Sequence, residues 1–273
     1  MKAILTAAAM GLMLSGCGTA EEAGQSKSKT GEVAELRTAN DKCRQLVDNA
    51  DIEAANPLCL SALEDAREFS EQSPEYAQAV ANTAWLFHMR GQDEDAKQFY
   101  QRAVGLQEAQ VDAEPRALAR TLADYGMLLT NGGDAEAGMA RLERAQALLS
   151  DAGAEESEAM AALYGDMAET YEVADDMEAS LEMYRASVDA YRAALGDAHA
   201  NVGVALNNLG TALQIQQDFD AAEKVLKEAA GILEEALGSE HPVTGMAQAN
   251  LRDNDSLRED AQARAEMAEE EGA

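Results

Sequence analysis

The chain has 273 residues, long for one compact domain and short for two large ones, and its 21 Lys+Arg against 51 Asp+Glu give a formal charge of -30. Such an excess of acid is repelled by phosphate backbones and anionic lipid surfaces, which argues against nucleic acid as a partner and leaves basic partners open. Hydrophobic residues reach 47% but aromatics only 4%, with alanine supplying much of the apolar count, a balance that suits close-packed helices better than sheets.

At the N-terminus a single cation, Lys2, precedes an apolar run from Ala3 to Leu14, the layout of an export signal. The run is too short to span a bilayer as a stop-transfer helix. Leu14-Ser15-Gly16-Cys17 resembles the lipobox of bacterial lipoproteins. That resemblance implies a signal peptide over 1–16 and a mature chain that begins at lipidated Cys17, its acyl chains together sufficient for stable membrane anchoring. Gly18 stands where an Asp would resemble an inner-membrane retention signal, so the resemblance favours an outer-membrane lipoprotein facing the periplasm. Residues 17–32 are small and polar and read as a flexible tether, with a root-mean-square reach on the order of 20 Å.

Residues 33–72 read as a degenerate helical hairpin, with Asn56-Pro57 as N-cap and first residue of its second helix. With Cys17 lipidated, Cys43 and Cys59 form an even pair in an oxidising compartment. They are either bridged across the hairpin or two buried thiols at small-residue positions.

From residue 73 to 240 the chain repeats every 42 positions. Small residues recur at Ala84, Gly126, Ala168 and Gly210, and large ones in phase at Phe87, Leu129, Tyr171 and Leu213. A second small column, Ala96, Gly138, Ser180 and Ala222, is followed by the large column Tyr100, Leu142, Tyr184 and Leu226, then by Ala103, Ala145, Ser187 and Ala229. Apolar residues at offsets of three and four predict two amphipathic helices per period. One hairpin alone cannot bury its apolar face, so the predicted product is a stacked solenoid. Residues 241–257 read as a closing helix, and Ser256-Leu257-Arg258-Glu259 as a capping box that opens an acidic tail over 258–273.

The columns Leu206, Gly210, Leu213, Ala222, Leu226 and Ala229 resemble the tetratricopeptide repeat, and the 42-residue period with its Leu237-Gly238-Ser239-Glu240-His241-Pro242 connector resembles the kinesin light chain subtype. The third unit departs from pattern, with Asp175 for the turn glycine and Ser180 for alanine. The resemblance implies an all-α fold, a right-handed superhelix of antiparallel hairpins whose concave face is built from the first helix of each unit. It directs attention to one short polar column, Asn82, Asp124, Asp166 and Asn208, with Asn207 adjacent. These residues either bond the backbone of an extended ligand or simply polarise an exposed helix face. Neighbouring concave positions carry Gln78, Trp85, His88, Arg120, Met127, Glu169, Glu172, Thr211 and Gln214. Trp85 is either a ligand anchor or a packing residue against the first hairpin. Arg120 stands nearly alone among acids, so a basic or apolar segment is expected rather than a C-terminal carboxylate.

No motif assembles a reaction centre: HExxH, GxSxG, a phosphate-cradling glycine loop and zinc spacing are all missing from the sequence. His88, His199 and His241 fall in different units, the last two at equivalent connector positions that suit a structural role. The expectation is a non-enzymatic, membrane-tethered scaffold or adaptor for cell-envelope proteins, with no cofactor, no metal and no small-molecule substrate. The alternative is an assembly factor of an outer-membrane machine, either pilotin-like or an accessory of outer-membrane protein insertion.

Overall fold

The computed structural model describes residues 19–110 and 114–272, and among them it contains helices and no strand. The lipobox, Cys17 and the signal peptide over 1–16 lie outside the described residues. Helices α1 (Thr19–Asp48) and α2 (Ile52–Phe69) form the first hairpin. They are followed by α3 (Pro74–Met89) with α4 (Asp93–Glu108), α5 (Pro115–Asn131) with α6 (Ala135–Asp151), α7 (Glu158–Val173) with α8 (Met177–Leu195), and α9 (Ala200–Ile215) with α10 (Phe219–Leu237). The final helix is α11 (Pro242–Gly272). Each helix packs on the next, and first helices also touch across neighbouring hairpins, α1 on α3, α5 on α7 and α9 on α11. The architecture is an α-solenoid.

The repeat columns explain the packing. The small residue of each first helix receives the large residue of its own second helix: a Cβ placed on Gly126 would lie 3.0 Å from the Leu142 side chain, and one on Gly210 only 2.5 Å from Leu226. Ala84 and Tyr100 share one core cluster, and Ala168 and Tyr184 another. Glycine therefore pairs with leucine and alanine with tyrosine, and all four large residues are buried. Between the paired helices one residue takes a left-handed backbone, Gly91, Gly133, Asp175 and Gln217 in turn, the last two at φ 62° without the freedom glycine has there. The Asp that follows caps the second helix: Asp134, Asp176 and Asp218 accept from backbone N–H groups at 3.1, 3.1 and 3.2 Å. His199 and His241 do the same work for α9 and α11, each ring Nδ1 accepting from the backbone N–H two residues on.

The first hairpin follows the same plan with one residue fewer. Cys43 and Cys59 precede Ala84 and Tyr100 by 41 positions, and their sulfurs are bonded, with Cα atoms 5.0 Å apart. A covalent bond thus occupies the place where the other hairpins seat a large side chain on a small one. The left-handed Ala50 keeps the same 41-residue offset from Gly91, and Asp51, not Asn56, caps α2 through the Ala54 N–H at 3.2 Å. Pro57 consequently lies inside α2 rather than at its start.

Two further expectations change. The segment expected as a flexible tether over 17–32 is helical from Thr19 on, because it is rich in Ala, Glu, Gln and Lys and contains no Pro, so a docked helix can propagate through it. The closing helix and the tail are likewise one continuous helix, α11. Ser256 opens nothing, since a capping side chain needs free N–H groups and mid-helix these are already bonded. Arg258 ties this stretch to α10 through Asp220 at 3.1 Å and Glu223 at 3.3 Å. On α11 the column of Gly210 and Leu213 continues as Arg252 and Asp255, both exposed, so the face that would receive a further second helix is charged.

Candidate functional site: the concave groove

Residues at i, i+4, i+7 and i+11 share one face of a helix. In the first helices that face is Gln78, Asn82, Trp85 and Met89 on α3; Arg120, Asp124, Met127 and Asn131 on α5; Ala162, Asp166, Glu169 and Val173 on α7; and Val204, Asn208, Thr211 and Ile215 on α9. The 41-residue offset of the first hairpin places Arg37, Asp41, Arg44 and Asp48 in the same rows. A cavity of roughly 650 Å³ opens on this face, and the predicted residues Trp85, Arg120, Asp124, Met127 and Asp166 converge on it. Arg44, Arg116, Glu158, Ala162 and Tyr191 also line it and were not foreseen. The missing signal for Arg44 was the single-residue slip of the first hairpin, which a strict 42-residue alignment hides.

The N-terminal wall is internally satisfied. Arg44 reaches from α1 to grip Asp124 with both terminal nitrogens, one contact being 3.1 Å, and its Nε bonds Asp48 at 2.8 Å. Its guanidinium lies 5.2 Å from the Trp85 ring centroid. Asp48 also accepts from the Trp85 indole N–H at 3.1 Å and from Arg120 at 3.4 Å. Burial works against the charge on Arg44, but Asp124 and then Asp48 outweigh it and hold its pKa above the ordinary value. Tyr100, buried behind this cluster, has its phenol pushed well up by burial and then by Asp124. Trp85 packs against the first hairpin, in the cluster of Cys43, Val47, Ala55, Cys59 and Leu86, and also lines the cavity.

Toward α7 the balance reverses. The Asp166 carboxylate faces the cavity, and no ion pair or side-chain hydrogen bond reaches it among the described residues. Burial, then the charges of Glu169 and Asp124, push its pKa well above the usual carboxylate range. Glu169 and Glu172 are also raised, each by desolvation first. The same acids act on the phenols beside them: Tyr191 is pushed up to about 12 by burial, then by Glu158 and Asp166. Tyr184 rises further, through burial and then Glu172.

Several sequence-predicted residues are not free groove residues. Asn82 is buried and donates to the Asn40 carbonyl at 2.9 Å, joining α3 to α1. Asn207 accepts from Asn250 at 2.9 Å, and Gln214 donates to the Asn250 carbonyl at 2.9 Å, so both hold α11 to α9. His88 bonds Asp93 at 2.8 Å on the turn into α4. Gln78 opens onto a separate depression beside Arg37, Asp41 and Glu114. For His88, Asn207 and Gln214 a one-residue step along the helix is the reason, since it turns a side chain by about 100°, from the groove to the adjoining elements, whereas Asn82 stands in the groove row and is taken up by α1. Asn208, Thr211 and Glu169 continue the open face beyond the cavity, with Thr211 donating to the Asn208 carbonyl at 2.8 Å. Among the described residues no group of three His, Cys, Asp or Glu side chains is arranged to hold a metal, and no helix is long and apolar enough to cross a membrane.

The tetratricopeptide repeat family model matches residues 158–235 and 201–270. No curated protein matches the chain by sequence. Solved structures do match. BtubC (BKLC) from P. vanneervenii superposes with TM-score 0.57 at 17% identity, over 88% of this chain and 92% of its own. A Podosopora anserina putative kinesin light chain with nearly identical TPR-like repeats gives TM-score 0.58 at 16% identity, over 74% and 95%. PilF of Pseudomonas aeruginosa gives 0.55 at 15%, over 86% and 99%. At these identities the likeness is one of fold. Tetratricopeptide repeats are in general a non-catalytic fold that binds peptides and proteins. The α-solenoid thus matches the tetratricopeptide repeat model over residues 158–270 and shares its fold with kinesin-light-chain-like repeat structures.

Proposed function

We propose that this protein is a non-enzymatic scaffold, anchored by lipid at Cys17 and facing the periplasm, that captures segments of other cell-envelope proteins on its concave face. The observation that carries the reading is the convergence of polar and aromatic side chains from α1, α3, α5 and α7 on a single concave cavity of roughly 650 Å³, a size suited to a few side chains of a partner. The lipobox supports the anchor. Helix α1 is continuous from Thr19 into the first hairpin, so an anchor at Cys17 would hold the repeats within tens of Å of the membrane. Holding a binding surface that close to a membrane raises the effective concentration of partners there without any new contact.

Crosslinked pull-down from membranes, with wild type beside Cys17→Ser, tests this. A scaffold recovers several soluble envelope proteins, and Cys17→Ser releases the bait from the membrane fraction. Recovery of one near-stoichiometric integral membrane partner would favour a dedicated assembly factor instead, and turnover of any substrate by the purified chain would end the non-enzymatic reading.

A further inference from the structure

The concave face changes character at α7. On α5 the column carboxylate, Asp124, holds the guanidinium of Arg44 in a two-pronged pair above the Trp85 ring. One period later Asp166 occupies the same row, opens on the same cavity, and makes no ion pair among the described residues. Arg44 is therefore an internal example of what this column receives, and Asp166 is the position left to a partner. Its pKa is raised by burial and then by Glu169 and Asp124, a rise that the nearby charge of Arg44 only partly offsets.

A second observation concerns apolar side chains. Val173, Ile215 and Leu257 are 52%, 62% and 42% exposed, and they stand 42 residues apart at the last turn of the concave face. On the other side of the polar row, Val204 and Met246 are 37% and 59% exposed, again one period apart. Scattered exposed apolar residues are ordinary, but these stand in repeat register on one face, and Ile215 and Leu257 line one surface depression beside Phe219. In the N-terminal half the equivalent of Val173 on α1 is Asp48, already bonded to Trp85 and Arg120. On α3 the column carries Met89, 39% exposed, and on α5 Asn131, so the aliphatic members Val173, Ile215 and Leu257 follow one another only on α7, α9 and α11.

We propose that this half of the concave face docks a protein segment that places one arginine against Asp166 and aliphatic side chains on Val173, Ile215 and Leu257. The proposal rests on the scaffold reading and specifies its ligand. Charge complementarity selects the cation: the acids that act on Asp166 are Glu169 and Asp124, and Glu158 lines the same cavity. Arg116 and Arg120 line that cavity from α5, with Arg120 already beside Asp48. An arginine suits the seat better than a lysine because its planar fork engages a carboxylate at two points, as Arg44 does with Asp124.

The test is selection of a random-peptide phage library on the immobilised full chain, followed by fluorescence anisotropy of the selected peptides. The expected consensus is a single arginine flanked by Leu, Ile, Val or Met. Asp166→Asn should weaken those peptides about tenfold or more, since a hydrogen bond to a charged group is lost. Ile215→Asp and Leu257→Asp should weaken them severalfold, and Lys97→Ala, at an exposed position of α4, should leave them within about twofold. The two aliphatic sites are exposed, so their variants report binding even if Asp166→Asn alters the fold. A consensus of acids or free C-terminal carboxylates that depends on Arg120 would overturn this assignment while leaving the groove as a binding site. Peptides indifferent to all four substitutions, or no enrichment at all, would overturn both.

Discussion

The two halves of the solenoid use one helical frame to opposite ends. From α1 to α5 the concave row is closed by the protein's own pairs, Arg44 with Asp124 and Asp48, and Asp48 with Trp85 and Arg120. From α7 to α11 the row carries acids that make no ion pair among the described residues, and aliphatic side chains in water. The first hairpin, which among the described residues has no helix packed on its N-terminal side, gains from every internal tie, and the bonded Cys43 and Cys59 are the strongest of these. The second half leaves its groups unmet, which weakens it as a structure and equips it as a surface.

The contrast is easiest to break at the disulfide. Replacing Cys43 and Cys59 together by alanine should cost about 3 kcal/mol, as expected for a loop of this length, read as a lower guanidinium midpoint that reductant no longer shifts. Peptide binding by the α7–α11 half should survive it under native conditions. Next in size, Arg44→Ala strands the Asp124 carboxylate, whose side chain is 14% exposed, and should cost about 2 kcal/mol in chemical denaturation. The double variant with Asp124→Asn should recover part of that loss, which distinguishes an ion pair from simple loss of packing.

In the other half the sign reverses. Asp166, Glu169 and Glu172 all have folded-state pKa values above their ordinary ones, so the folded chain binds protons more readily than the unfolded chain as pH falls from neutral. Their destabilising charge is therefore relieved on mild acidification and returns as pH rises through the raised values. Thermal melts should show a higher midpoint near pH 5 than at pH 7, and Asp166→Asn should raise the pH 7 midpoint and flatten that slope. A flat wild-type profile would mean the acids are solvated after all. The smallest effect is expected at Ile215→Ser, where 62% exposure predicts a stability change within about 0.5 kcal/mol.

Much of this fold was legible because small and large residues in register are a direct print of helix-on-helix contact. Gly210 and Leu226 could be paired from spacing alone, and the packing bears this out at 2.5 Å from a hypothetical Cβ. The groove was legible only in part. Asp124, Asp166, Met127 and Trp85 converge as the column arithmetic implies, but Asn82, Asn207 and Gln214 answer to neighbouring helices, and composition does not say which way an amide turns. Arg44 was hidden by the one-residue deletion, which moves the groove face of α1 by about 100° relative to the 42-residue frame. The exposed row Val173, Ile215 and Leu257 was present in the sequence at constant spacing, yet apolar residues at helical period are normally read as core. The helix break expected at Ser256 failed for a different reason: a local capping signal cannot compete with backbone bonds that continue through it.

Arg252 and Asp255 bear on how such a protein can change its length over evolution. A copied hairpin appended after α11 would meet a charged face where every earlier unit offers a small and an aliphatic residue, so added units must be inserted upstream, between members that already fit one another. The terminal helix then stays in place as a fixed stop, carried outward unchanged each time the array grows.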